Sequence, residues 1–255
     1  MSLHSLTTQS NFSALEQAKI ELAACLRMAV VNQLDSGLDK HFTIAVPGRD
    51  DAYLVLPFGV PWSEARASEL IIFNEAGQTL AGTGAVEISA RCLQAPIHRI
   101  TGAQVVLHSQ QTWALALNLL ENNRLVTACQ TAAFFDQRIA YDDGPAGPVR
   151  TPAEGERLAA CLGDKPILFM KNRGVLVTGG TLAQAFLRLY KLECVCRTQV
   201  LAMSTGQALQ ELSPEAIRMV NTPSPFDRHP RPVRERLFFA AMMRVVDRAL
   251  PGYAN

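Results

Sequence analysis

Val106-Leu107-His108-Ser109-Gln110 and Lys171-Asn172-Arg173-Gly174 are the two stretches on which the reading of this chain turns. A His-x-His pair on a strand puts both imidazoles on one side, because side chains alternate with a period of two. A third His before a Gly at a second strand end would close a three-histidine metal triangle. Here the three places hold His108, Gln110 and Arg173. The pattern is that of a metalloenzyme scaffold in which two of three ligands have been replaced.

The surroundings of both stretches mix strands and helices. Gln104 to His108 is an almost wholly apolar run, as expected of a central strand. Thr112 to Leu120 then reads as a helix. Ile167 to Met170 is a second buried strand, with Val175 to Thr178 continuing it, and Gly179-Gly180 leads into a long helix from Leu182 to about Thr205. Toward the N-terminus, Ala14 to Gln33 carries a helical apolar stripe. His41 to Val46 and Tyr53 to Leu56 pair as a hairpin across Pro47 to Asp51. Ser63 is placed to cap a short helix over Glu64 to Glu69. Leu70 to Phe73 is a strand, and Ile88 to Ile100 is helical, with Pro96 early in a turn or at a kink. Residues 122–153 are mixed, turn-rich over Asp142 to Pro148, and close on a helix from Pro152 to Leu162. Pro223 to Arg236 is basic and irregular, and Arg234 to Leu250 is a final amphipathic helix. Residues 1–13 read as a disordered lead-in, 14–210 as one α/β domain, and 211–255 as a C-terminal extension whose last helix packs on the domain or on a neighbouring subunit.

With 255 residues, 48% hydrophobic, 18% charged and a formal net charge of +1, the chain has the composition of a globular protein with a sizeable core. The concentrated basic footprint of a nucleic-acid binder is missing. Met1 to Ser13 has no apolar signal-peptide core, and no apolar run reaches the length of a membrane span. These features lead us to expect a soluble cytoplasmic protein. Six scattered cysteines, including the pair Cys194 and Cys196, do not match a zinc-ribbon spacing and are expected to be reduced and buried. Gly82-Thr83-Gly84 and Gly179-Gly180 lack the context of a nucleotide loop.

The collinear order of short motifs resembles the class II aldolase/adducin family, in particular its adducin-like bacterial members. His41-Phe42-Thr43 with Val46-Pro47-Gly48 is similar to that family's N-H-[FI]-S-x-R-x-P-G opening. Leu56-Pro57-Phe58-Gly59, with Trp62 and Ser68-Glu69-Leu70, resembles its P-x-G-x-x-[WF]…S-D-L stretch. Pro96-Ile97-His98 to Val106 resembles the segment before its His-x-His, and Ala114 to Leu117 the helix after it. Glu154-Gly155, Leu162-Gly163, Asn172-Arg173-Gly174 and Gly180-Thr181 follow in family order. Tyr190-Lys191-Leu192-Glu193 to Gln199 is similar to its Y-x-L-E-x-x-C-x-x-Q. The likeness runs over roughly residues 14–253. It implies a single three-layer α/β/α domain with a central, mostly antiparallel sheet flanked by helices, often assembled as a homotetramer. It also implies a divalent metal held by three histidines at a subunit cleft, acting as a Lewis acid in carbon–carbon lyase, epimerase, dehydratase or decarboxylase chemistry. Adducin heads share the fold without the enzyme.

Set on that pattern, His108 falls on the first ligand position, as a residual metal or anion contact or as an ordinary strand-end histidine. Gln110 falls on the second, where an amide oxygen is a weaker ligand than imidazole. Arg173 falls on the third. A guanidinium does not deprotonate and cannot ligate a metal. It can take over the metal's electrostatic task by holding an anion bidentately, or it can serve as a salt bridge to a neighbouring acid. Asn172 and Gly174 flank it. The family's catalytic Glu would fall near Ala90; Glu87 is close in sequence but one turn away. His98 reads as helix packing. His41 replaces an Asn near the substrate of aldolases and is expected at the cleft mouth or in packing. The leading reading is a metal-free family member, a pseudoenzyme or scaffold that binds a small anionic molecule through Arg173, Gln110, Asn172, Gly174 and His41, with no cofactor. The alternative is a metal-dependent aldolase or decarboxylase acting on a small hydroxy- or keto-carboxylate or sugar phosphate. Zinc, manganese or iron would then sit at His108, and His108 and Glu87 would be the catalytic candidates. A third is a self-associating interaction module. No membrane or nucleic-acid partner is expected.

Overall fold

A computed structural model describes residues 13–144, 147–223 and 229–255. The expected lead-in therefore lies outside the described residues, apart from Ser13. That residue closes a capping box with Glu16 and starts α1 (Ala14–Val31). The chain continues through β1 (Phe42–Ala45), β2 (Ala52–Val55), β3 (Ile71–Asn74), β4 (Thr79–Ala81), α2 (Ala95–Thr101), β5 (Val105–Ser109) and α3 (Thr112–Asn118). It ends with β6 (Ile139–Asp142), α4 (Pro152–Leu162), β7 (Ile167–Met170), β8 (Gly174–Gly179), α5 (Leu182–Met203), α6 (Pro214–Asn221) and α7 (Arg231–Ala249).

The eight strands form one sheet in the order β4-β3-β2-β1-β5-β8-β7-β6, antiparallel throughout except for the parallel β6–β7 pair. This is the mostly antiparallel α/β architecture expected. Strand periodicity sorts the central side chains into two cores. Val105, Leu107, Val175 and Val177 join α1, α5 and α7 on one face. Val106 and Leu176 join Cys92, Ile97 and Leu158 on the other, where α2 and α4 lie. Both faces of β5 and β8 are thus covered, which is why these strands are apolar without alternation. The buried Arg27 of α1 donates from Nε to the Ala65 carbonyl at 2.8 Å and from Nη1 to the Leu250 carbonyl at 2.9 Å. It thereby ties the last helix to the first.

Several local expectations change. Val175 to Thr178 does not continue the preceding strand. It returns antiparallel to β7, with Phe169 opposite Val175. Ser63 caps nothing: residues 62–64 and 67–69 are separate 3-10 turns. The helix over 88–100 opens with a wide π turn at Ala90–Gln94 before α2, and Pro96 sits in α2's first turn, directly after that widening. The mixed stretch 122–153 contains β6, and the extension contains α6. All six cysteines are free; Cys25, Cys92 and Cys196 are buried, whereas Cys194 is exposed. Among the described residues no helix is long and apolar enough to cross a membrane.

Gly155 of α4 faces the π turn so closely that a Cβ there would land inside the Cys92 carbonyl oxygen, with Pro96 behind it. Gly155→Ala is therefore expected to destabilise the fold by about 3 kcal/mol, as overpacking against backbone does. A lowered urea midpoint would show it, and an unchanged midpoint would contradict this packing.

Candidate functional site: a cleft at the ends of β5 and β8

The two decisive stretches meet because β5 and β8 pair, with His108 opposite Leu176 and Ser109 opposite Val175. The turn between β7 and β8 is tight. Asn172 takes a left-handed φ of 60° and Gly174 a φ of 103°. A Cβ on Gly174 would collide with the Ser109 carbonyl and with Gln110, so only glycine allows this approach. Arg173 is thereby laid beside the end of β5, and Gln110 Nε2 donates to its carbonyl at 3.0 Å.

His108, Gln110, Asn172 and Arg173 line one cleft of about 410 Å³, together with Lys40, Glu87 and Ser89. Gly174 lies behind this lining as the backbone that permits it. His41 also lies behind it, buried, with Nε2 3.1 Å from Glu87 Oε2. Glu87 further accepts from the Ser89 backbone N–H at 2.6 Å and from the Ser89 hydroxyl. Burial pushes the Glu87 carboxyl up, but the hydrogen bonds from His41 and Ser89 outweigh it and hold the group at about 2. The π turn that follows is the kind of helical irregularity that accumulates near functional sites. Glu87 lies just before it and lines the cleft despite its offset in sequence.

His108 is 6% exposed, and neither ring nitrogen meets a hydrogen-bond partner. Burial, then the charges of Lys40, His41 and Arg173, push its imidazole down to about 3, against the pull of the Arg173 backbone. Lys40 is likewise lowered by burial. His98 lies elsewhere, stacked on Tyr53 with centroids 4.6 Å apart. Its Nδ1–H donates to the Ala103 carbonyl at 2.6 Å, and its Nε2 accepts from the Thr43 hydroxyl at 2.8 Å. Burial holds it at about 4, and its role is packing, as expected.

Arg173 has acidic neighbours that no local pattern announced. Its Nη2 is 3.1 Å from Glu154 and 3.9 Å from Asp142. Arg157 grips the buried Asp142 with two hydrogen bonds, at 2.7 and 2.9 Å, and reaches Glu154 at 2.8 Å. Hydrogen bonds from Arg157, then from Arg173, hold Glu154 at about 2 against burial. Lys40, Ser89, Asp142 and Arg157 were not singled out from the sequence. Glu154 was noticed only as a motif neighbour of Gly155. Among the described residues no group of three His, Cys, Asp or Glu side chains stands close enough to hold a metal ion.

The conformity of the remaining motifs is structural. Glu193 accepts the Trp113 and Ala114 backbone N–H groups at 2.8 and 2.9 Å, capping α3 from a distance. Gln199 clamps the loop after α3 through the Val126 N–H and the Arg124 carbonyl.

Comparison with known proteins agrees with this architecture. The family profile of the class II aldolase and adducin N-terminal domain matches residues 20–200. A Pseudomonas aeruginosa protein provisionally named a class 2 aldolase is 27% identical over 98% of each chain. A decarboxylase of Streptomyces niveus is 28% identical over 72% of this chain and 68% of its own. The crystal structure of an aldolase II superfamily protein from Pseudomonas syringae superposes with a TM-score of 0.86 at 28% identity, covering 96% of this chain and 98% of the other.

The two buried histidines make stability depend on pH. Each titrates at 6.5 in the unfolded chain but only at about 4 (His98) or about 3 (His108) when folded. The unfolded state therefore binds more protons, and stability present above pH 6.5 is lost as pH falls. Each histidine contributes about 1.4 kcal/mol per pH unit in that window. The depressed carboxyls Glu87 and Glu154 act only below their unfolded value of 4.5. Urea midpoints between pH 6.5 and 5 are thus expected to fall, and His98→Gln to halve the slope. A flat profile would refute the neutral burial of both rings.

Proposed function

Because this chain belongs to the class II aldolase and adducin N-terminal domain family, its cleft invites comparison with a three-histidine metal centre, and we propose that it instead binds a small organic anion directly. The observation that carries this reading is the guanidinium of Arg173, which lines the cleft and is held by Glu154; the family resemblance sets it where a third histidine would stand. The donor set does not suit a divalent metal. Gln110 offers only its neutral amide oxygen, a weaker ligand than imidazole, and Arg173 has no lone pair to give. At an effective dielectric of about 20, the guanidinium alone opposes a dication about 5 Å away by about 6–7 kcal/mol, which the pull of Glu154 and Asp142 partly offsets. The same field attracts a carboxylate or phosphate ester, and Lys40 adds to it from the cleft lining.

Proton transfer is the weaker part of the case for an enzyme. An effective general base has a pKa near the working pH. Glu87, held at about 2, falls short of that by about five units at neutral pH. Binding is therefore favoured over turnover.

One observation keeps a metal-dependent lyase as the second reading. His108 offers two buried ring nitrogens without partners, and a relative 28% identical is a decarboxylase. Calorimetry with small carboxylates and phosphate esters, alongside metal analysis of protein purified without chelator, separates the two. Direct anion binding predicts saturable heat that weakens about tenfold in Arg173→Gln and in Lys40→Gln. It also predicts no stoichiometric zinc, manganese or iron. Stoichiometric metal that disappears in His108→Ala would overturn it in favour of the lyase.

A further inference from the structure

Of the three buried histidines among the described residues, two have hydrogen-bond partners and one does not. His98 is paired at each ring nitrogen, by Ala103 and by Thr43, and His41 meets Glu87. His108 lines the candidate cleft, yet neither of its ring nitrogens has a partner. Buried polar side chains are nearly always paired, so an orphaned imidazole calls for an explanation. Packing does not supply one. The strand neighbours Val106 and Leu107 and the cross-strand partner Leu176 are apolar. A leucine at position 108 would fill the same space without stranding two polar atoms.

The surroundings decide what the ring offers to the cleft. Burial, then the charges of Lys40, His41 and Arg173, keep the imidazole neutral near pH 7. One nitrogen then carries a proton and the other a lone pair. The Arg173 backbone carbonyl draws the protonated nitrogen toward itself, although it makes no hydrogen bond to the ring and already accepts from Gln110. Lys40 and Arg173 line the same cleft, and their positive field favours a lone pair turned toward it over an N–H. Both influences leave an acceptor facing the cleft, and an acceptor calls for a donor. A carboxylate or a keto oxygen brings lone pairs alone, whereas a hydroxyl brings an O–H.

The rest of the lining bounds the ligand further. Ile88, Pro148 and Val149 give the cleft an apolar wall, and its volume of about 410 Å³ exceeds the needs of a bare acid group. His108 and Arg173 stand side by side where β5 and β8 pair, which sets a hydroxyl that reaches the ring on the carbon next to the acid. We infer that the ligand is an α-hydroxy carboxylate with a short apolar body, its acid group in the field of Lys40 and Arg173 and its hydroxyl donating to His108. His108 is thereby the residue that selects a hydroxy acid over its keto and unsubstituted counterparts. This inference rests on the direct binding of an organic anion proposed above and names which anion.

The test is isothermal titration of the full chain, stripped of metal by chelator and dialysed into chloride buffer, with racemic α-hydroxyisocaproate, α-ketoisocaproate and isocaproate. All three are ionised at neutral pH and differ in one substituent. The hydroxy acid is expected to bind about tenfold more tightly than either of the others. His108→Leu, its fold checked by a thermal midpoint, is expected to bring the three affinities together. The wild-type comparison decides the ligand class whether or not that variant folds. Equal affinities in the wild type, or tighter binding of the keto acid, would overturn the hydroxyl contact alone, direct anion binding standing if Arg173→Gln weakens all three. A preference that survives in folded His108→Leu would overturn the role of His108. Saturable binding of none of the three, or binding indifferent to Arg173→Gln, would overturn the anion reading and this inference together.

Discussion

The candidate cleft depends on one close approach, that of the Gly174 backbone to the Ser109 carbonyl at the shared end of β5 and β8. Any side chain at position 174 would push the strands apart and remove Arg173 from the neighbourhood of His108. The approach is held from outside by Asn118 of α3, whose Nδ2 donates to the Met170 carbonyl at 2.6 Å and to the Gly174 carbonyl at 3.2 Å. It thus bridges the two ends of the β7–β8 turn. Asn118 is oriented in turn by Asn123, and α3 is anchored by the Glu193 carboxylate on its first N–H groups. A residue on α5 therefore sets the geometry of a turn it never touches, through a capped helix and one buried amide.

The same turn explains why Arg173 can stay charged while only 8% exposed. Breaking a buried ion pair is costly because it strands a charge away from water. Here Asp142 and Glu154 face Arg157 and Arg173, two acids against two bases, with Asp142 the most deeply placed. The network balances itself, so its function is to fix the plane of the guanidinium. The field an arriving anion meets is then the sum of a guanidinium already paired with Glu154, the half-buried Lys40 and a Glu87 committed to His41 and Ser89.

How much of this could be read from the chain follows the range of the interactions. The strands around His108 and Arg173 and the long helices declare themselves because their apolar periods are local. β6 does not, because Ile139–Asp142 is four residues long and is defined by its partner β7. The wide turn at Ala90–Gln94 was hidden for a different reason. Its apolar residues Ala90, Cys92 and Leu93 fit an ordinary helix, and only the packing of Gly155 against Cys92 shows the backbone to be wider. Within the cleft, Gln110, Asn172 and Arg173 were legible by position in a pattern. Their electrostatics were not, since Glu154 lies 19 residues from Arg173 and Glu87 lies 46 from His41.

Two charged regions differ in what the fold requires of them. In the first, Arg157 and Arg173 each have a carboxylate within 3.1 Å, and the ions pin a strand turn to a helix. Removing them would change the fold locally. At the second, the start of α7, Arg231 and Arg234 are exposed on the first turn, where their charge opposes that of the helix end. Packing does not require them, since the apolar anchors of α7 are Phe239 and Val246, further along the helix.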